Sequence, residues 1–315
     1  MSEALRRVAF GEIDVAQTAL ASPPDRHGGV HDARKCLKRL RSLLLLASPG
    51  MPEPVFTSLT ERVAAIARGL APARDAHALI DAVNKLERET EPGPGQGPIH
   101  SMRAWLEKRR HAAEQNLERS AASDAMRALR EIRGPFAGLA VYPDNFHALT
   151  KGLRRCYRAT RTSFQQALGT AHDEDLHDWR KGVQHHWRQM QLLAPCWPSE
   201  LTARVDAARS ISQLLGDAHD ISLLRQLVST PTMTFGSPEE TAAFLKRCRK
   251  CHKTLRKEAA AQGERLFAER SRLFAERIEA YWLAAAGRGG KPAVVEPARQ
   301  DNVVAFGDLR TTRAS

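Results

Sequence analysis

His31-Asp-Ala-Arg34-Lys35-Cys-Leu-Lys38-Arg39-Leu-Arg41 returns, at an offset of 146, as His177-Asp-Trp-Arg180-Lys181-Gly-Val-Gln184-His185-His-Trp-Arg188. A second pair of segments, Leu70-Ala-Pro-Ala-Arg74-Asp75 and Leu215-Gly-Asp-Ala-His219-Asp220, repeats at an offset of 145. Two separate matches at nearly one offset point to an internal duplication. Outward from these segments, apolar residues recur at three- and four-residue spacing and strand-like alternation is absent. The reading is all-α. Helices are expected over 2–21, 28–47, 53–71, 74–90 and 98–133, and again over 144–170, 174–194, 199–216, 219–229 and 238–285. Breakers such as Ser48-Pro-Gly-Met-Pro, Gly134-Pro135 and Pro195-Cys-Trp-Pro separate them. The halves are expected at 1–140 and 141–286, with the Gly/Pro-rich residues 287–315 as a flexible tail.

Each repeated segment sorts into two faces. With His31 at zero and about 100° per residue, Arg34, Lys35, Lys38 and Arg41 fall within roughly 80° of it and Arg39 lies at the margin. Ala33, Cys36, Leu37, Leu40 and Leu44 take the other side, and no acid interrupts residues 33 to 47. The second copy places His177, Arg180, Lys181, Gln184, His185 and Arg188 opposite Trp179, Val183, His186 and Met190. Two further helices show the pattern. Lys151, Arg154, Arg155, Arg158 and Arg161 share one face. Lys246, Arg249, Lys250, Lys253, Arg256 and Lys257 share another, opposite Phe244, Cys248, Cys251 and Leu255.

A merely solvated face mixes signs, because Glu-to-Lys pairs on adjacent turns support a helix. Faces of one sign repel themselves, and an anionic partner offsets that cost. The planar fork of arginine can give two hydrogen bonds to two phosphate oxygens. A chain of phosphates accumulates such contacts and displaces counterions, so its affinity falls steeply with salt. From residues alone, the partner is a polyanion.

Composition narrows the choice. A formal charge of +12 and a pI of about 9.9 attract phosphate-rich partners or anionic membranes. Five Trp and three Tyr in 315 residues make a thin stacking platform for single-stranded bases. No helix-turn-helix, zinc-finger or RNA-binding motif is present, so nucleic acid is not the expected main ligand. The basic faces lack flanking Trp or Phe anchors, which argues against a membrane surface. Five scattered cysteines do not make a disulfide framework. With Glu3, Glu12 and Asp14 near the start there is no signal-peptide pattern, and a cytoplasmic location is expected.

The spacing His31-x-x-Arg34-x-x-x-Lys38-Arg39-x-Arg41 resembles the signature of the CHAD domain, the conserved histidine α-helical domain. The second copy keeps His177, Arg180 and Arg188 but has Gln184 and His185 where two further bases are usual. Leu70–Asp75, Leu215–Asp220 and 263–269 also resemble family segments, so the likeness spans about residues 1–285. It implies two related four-helix-type bundles, pseudo-twofold, with a basic channel between them. It also implies non-catalytic binding of inorganic polyphosphate and association with polyphosphate granules, among other granule-associated proteins. The resemblance assigns His31, Arg34, Lys38, Arg39, Arg41, His177, Arg180 and Arg188 to the ligand. Wheel geometry adds Lys35, Lys181, His185 and the two further basic faces, Lys151 to Arg158 and Lys246 to Lys257. Reversal of Arg34 and Arg180 together is expected to abolish binding.

Enzymatic alternatives are weaker. Glu87-x-Glu89-x-Glu91 lacks the Lys of a triphosphate-tunnel strand and reads as a solvated helix end. The His-Asp pairs at 31–32, 172–173, 177–178 and 219–220 suggest a metal-dependent phosphohydrolase. Arg and Lys flank His31 and His177, however, and would repel a cation. No metal or other cofactor is expected. Cys248-x-x-Cys251 falls on an apolar face and reads as core, as does His186, there as a hydrogen-bonded histidine. Trp187 and Trp197 are read as core by default, and Asp75 and Asp220 as helix caps or partners of a basic stripe.

Overall fold

The computed structural model describes residues 1–21, 26–88, 96–116, 121–170, 172–230 and 235–287; side chains at 26–27, 72–78, 96–97 and 113–116 are not described. All regular structure in these residues is helical. The helices are α1 (Ser2–Ala21), α2 (Arg26–Ala47), α3 (Glu53–Gly69), α4 (Ala71–Arg88), α5 (Gln96–Asn116), α6 (Ala122–Ala137), α7 (Phe146–Thr170), α8 (Asp173–Leu193), α9 (Pro198–Val228), α10 (Pro238–Leu266) and α11 (Ser271–Gly287). The expected tail, from residue 288 on, lies outside the described residues.

Three expected boundaries differ, each for a physical reason. Residues 98–133 hold parts of two helices, α5 and α6, and Gly134-Pro135 does not end the second, which runs on to Ala137. Proline in a last turn removes one N–H from the ladder and does not stop a helix that has almost finished. The break expected near Gly216 is absent, and α9 continues through it for 31 residues. A glycine costs a helix interior about 1 kcal/mol. Here it provides space: a Cβ at Gly216 would lie 2.8 Å from Nη2 of Arg180. Finally, the helix expected over 238–285 is interrupted after Leu266. The Leu266 carbonyl, freed from the helical ladder, accepts from the Tyr157 hydroxyl at 3.2 Å and from Arg204 at 3.0 Å. Arg277 then bridges to Glu269 and Glu200, which holds α11 against the start of α9.

Two apolar clusters hold the molecule, and neither follows the boundary near residue 140. The larger draws on α1, α2, α3 and α6 together with α7, α8, the first half of α9 and α11. The smaller joins α4 and α5 to the second half of α9 and the first part of α10. The offset of 146 carries α1, α2, α5 and α6 onto α7, α8, α10 and α11, while α3 and α4 fall on the single long α9. Close backbone approach locks α2 onto α7: a Cβ at Gly152 would meet the Leu46 carbonyl oxygen at 1.8 Å. At the other edge of this contact Cys156 Sγ lies 3.8 Å from the Leu45 carbonyl.

The larger core holds a histidine that water would stabilise better. His186 is buried among rings, edge-on to Tyr157 at 5.6 Å and to Phe267 at 5.5 Å, with Phe274 at 5.4 Å. It was expected to be a hydrogen-bonded core histidine, but its Nε2 has no hydrogen-bond partner among the described residues. Burial, and then Arg204, hold its pKa well below the ordinary 6.5. Below pH 6.5 the unfolded chain takes up the proton and the folded chain does not, so stability falls as the pH drops. The urea midpoint is expected to decrease between pH 7 and pH 5, and His186→Met to flatten that decrease; identical pH profiles would contradict the assignment.

Candidate functional site

The two repeated segments meet. α2 lies against both α7 and α8, and Ser42 Oγ of α2 is 2.8 Å from Nδ1 of His185 on α8. Gln189 Nε2 donates to the Ser42 carbonyl at 3.4 Å. The α8 stripe expected to face outward is therefore turned inward, toward α2 and α9. Only Lys181 on it is exposed, while Arg180 and His185 are half-buried and Arg188 is 9 % exposed. On α2, Arg41 is exposed and His31, Arg34, Lys35, Lys38 and Arg39 are half-buried.

Many of these cations have structural engagements. Arg34 donates to the Ala67 carbonyl at 2.8 Å, capping the last turn of α3, where a cation also complements the helix dipole. Lys35 pairs with Asp32 at 3.1 Å and Lys181 with Asp178 at 2.9 Å. Arg39 reaches Glu12 of α1 at 3.3 Å, and Glu12 is only 2 % exposed. Arg188 donates to the Gln184 carbonyl at 2.7 Å and lies over the Trp187 ring, which Arg209 also approaches from 5.1 Å. Reversing Arg34 and Arg180 would thus disturb the cap on α3 and the seat at Gly216 as well as any ligand.

The charges at this junction feel one another. Burial pulls the Arg188 pKa down to about 9, and Arg39, Arg180 and Arg41 pull in the same direction, with Glu12 opposing. His185 is pushed down to about 3 by burial and then by Arg188 and Arg41, so it is neutral near pH 7. His177 is also lowered, first by burial and then by Lys181 and Arg180, and its ring lies 5.0 Å from that of His219. Three arginines of the two segments thus act on the fourth, Arg188, against Glu12. An anion placed among them would relieve repulsion that the fold alone leaves in place.

The other two basic faces are more open. Lys151, Arg154, Arg155 and Arg158 on α7 are exposed, and Arg155 donates to Ser48 Oγ. α7 contains no acid in its 25 residues. On α10, Lys246, Arg249, Lys250, Lys253 and Lys257 are exposed and Arg256 is half-buried. Lys151, Arg154, Arg158 and these five exposed α10 residues form no ion pair with a described residue.

Two cavities flank α8. One, of about 480 Å³, lies between the ends of α7 and α8 and the cations of α9 and α10. The other, of about 440 Å³, is bounded by Asp81, Lys85 and Arg88 of α4, Arg180 of α8, and Asp217 and Asp220 of α9. Its three bases are balanced by three acids, and Lys85 is paired with Asp217 at 2.6 Å. Sequence reasoning missed Lys85, Arg88 and Arg225 as neighbours of these sites, since none of them belongs to a long run of like-charged residues on one helix face. Asp220 lines the second cavity; the side chain of Asp75 lies outside those described.

The remaining candidates fall as follows. Cys248 is buried in the smaller core, where burial pushes its thiol up to about 12, and Cys251 packs against the same cluster. Glu87 pairs with Arg103 of α5 and is not simply solvated; Glu89 and Glu91 are outside the described residues. Trp187 packs against the larger core, but Trp197 is 46 % exposed, edge-on to Tyr281. Among the described residues no three His, Cys, Asp or Glu side chains converge as metal ligands, and no helix is long and apolar enough to cross a membrane.

A protein-family model described as the CHAD domain matches residues 9–229. The chain belongs to the CHAD family. PptA from Streptomyces chartreusis has a similar structure, at a TM-score of 0.56 and 15 % identity, covering 91 % of this chain and 99 % of that one. The crystal structure of the CHAD domain from the plant Ricinus communis is similar at a TM-score of 0.53 and 17 % identity, over 90 % of this chain and 92 % of that one. These likenesses establish the CHAD fold at low identity. No curated protein matches. The CHAD match spans both repeated segments and ends before α10, so the basic face of α10 lies outside the matched residues.

Proposed function

We propose that this CHAD protein binds inorganic polyphosphate without catalysing its turnover, and that it acts at polyphosphate granules in the cytoplasm. Polyphosphate binding is the role for which the family is known. The observation that carries the reading is the junction of α2 and α8, where Arg39, Arg41 and Arg180 all lie close enough to the buried Arg188 to act on its charge, with Glu12 opposing them there. Exposed cations on α7, with no acid on that helix, extend the positive surface.

The same proposal reads the chain as two duplicated halves related by a pseudo-twofold, with the basic residues between them. Each apolar cluster contains helices together with their counterparts at an offset of 146, which is the pairing that a twofold between the halves would produce. A flexible phosphate chain suits such a site, because it can follow charges set on different helices.

The test is an equilibrium titration with long-chain polyphosphate at several salt concentrations, with polymer length followed for hours in magnesium or manganese. Tight binding is expected, with log affinity falling linearly against log salt and a slope of several units. Polymer length is expected to stay constant. Absence of binding at low salt would overturn the proposal, and metal-dependent shortening would make the protein a phosphohydrolase.

A further inference from the structure

We propose that the 480 Å³ groove between α8 and α10 is a separate site for a nucleotide, that is, for a polyphosphate group joined to a flat, partly apolar ring. The groove has the size of ordinary small-molecule pockets, roughly 300–1,000 Å³. One side bears Arg225 of α9 and Arg249, Lys253, Arg256 and Lys257 of α10. The carboxylate of Asp173, 3.3 Å from His252, lies nearby, and the five cations outnumber it.

The opposite side is of a different kind. Leu168, Leu176 and Trp179 form an apolar wall, and Leu168 is 47 % exposed to water. The indole nitrogen of Trp179 is a buried donor with no hydrogen-bond partner among the described residues. Inorganic polyphosphate could use the rim but would gain nothing from the wall. A nucleotide uses both: phosphates meet the guanidinium and ammonium groups, and the ring covers Leu168 and removes apolar surface from water. The balanced charge of the 440 Å³ cavity offers a phosphate no such attraction. The cationic rim is carried mainly by α10, beyond the residues matched by the family model.

Calorimetric titration of the full chain with ATP and with inorganic tripolyphosphate, at equal ionic strength, separates the two ligand chemistries. ATP is expected to bind at least tenfold more tightly than tripolyphosphate. Leu168→Gln, at an exposed position that the fold tolerates, should weaken ATP at least fivefold and leave tripolyphosphate unchanged. Lys253→Glu with Lys257→Glu should weaken ATP at least thirtyfold. Equal affinity for the two ligands, or ATP affinity indifferent to both variants, would overturn the nucleotide site. Long-chain polyphosphate binding by Leu168→Gln is expected to match the wild type, so failure of this proposal is distinguishable from failure of the function proposed above.

Discussion

Glu12→Ala is expected to destabilise the protein by about 3–5 kcal/mol, the usual result of removing one partner from a buried ion pair. Glu12 is 2 % exposed and faces Arg39, which is itself only 13 % exposed on its side chain. It is also the one carboxylate that opposes the field of the neighbouring arginines on Arg188. Without it, the buried Arg188 and the half-buried Arg39 lose a counter-charge that water replaces poorly. The melting temperature should drop by on the order of 10 °C. Glu12→Gln separates shape from charge: it preserves volume and a hydrogen-bonding oxygen, yet should recover less than half of the loss. Urea denaturation of the three proteins checks this. A change below 1 kcal/mol for Glu12→Ala would show that the junction of α1, α2 and α8 does not depend on that carboxylate.

The second large effect concerns the ligand. Arg154→Glu with Arg158→Glu should reduce polyphosphate affinity about a hundredfold, corresponding to about 2.7 kcal/mol. Both side chains are exposed on α7 and pair with no described carboxylate. Substitutions at such positions usually alter stability by about 0.5 kcal/mol or less, so the fold should survive. The salt dependence should become shallower by roughly 1–2 units, as two phosphate contacts disappear. Arg127→Glu with Arg130→Glu on α6 is the control, because it makes the same change in formal charge elsewhere. Equal losses from the two pairs would mean that net charge attracts the polymer and that the α7 face has no special part.

Much of this was legible in the sequence, and the rest was hidden for identifiable reasons. The wheel placed Ala33, Cys36, Leu37, Leu40 and Leu44 on a buried face, and all are buried; so are Trp179, Val183 and Met190. A wheel distinguishes two sides of one helix but says nothing of what lies across from the polar side. α8 is enclosed by α2, α7 and α9, so its cationic stripe faces protein and holds Arg188 in the interior. Glu12 could have been found, since it shares a face of α1 with Leu5, Val8, Ala9 and Ala16. An acid among apolar neighbours implies a buried cation. Gly216 misled because a helix-breaking residue and a residue that makes room for Arg180 look alike until the neighbour is known. The groove beside α10 was legible on one side alone: its basic residues are periodic, whereas its apolar wall comes from α7 and α8, far away in sequence.

The most direct measurement is a competition. Labelled long-chain polyphosphate bound to the protein is challenged with duplex DNA and with RNA at equal phosphate concentration. Neither is expected to displace it appreciably, because a bare phosphate chain can thread among charges at the α2–α8 junction that a duplex or a base-bearing strand reaches poorly. Displacement at equal phosphate concentration would rule out a site selective for polyphosphate and leave only a general polyanion-binding surface.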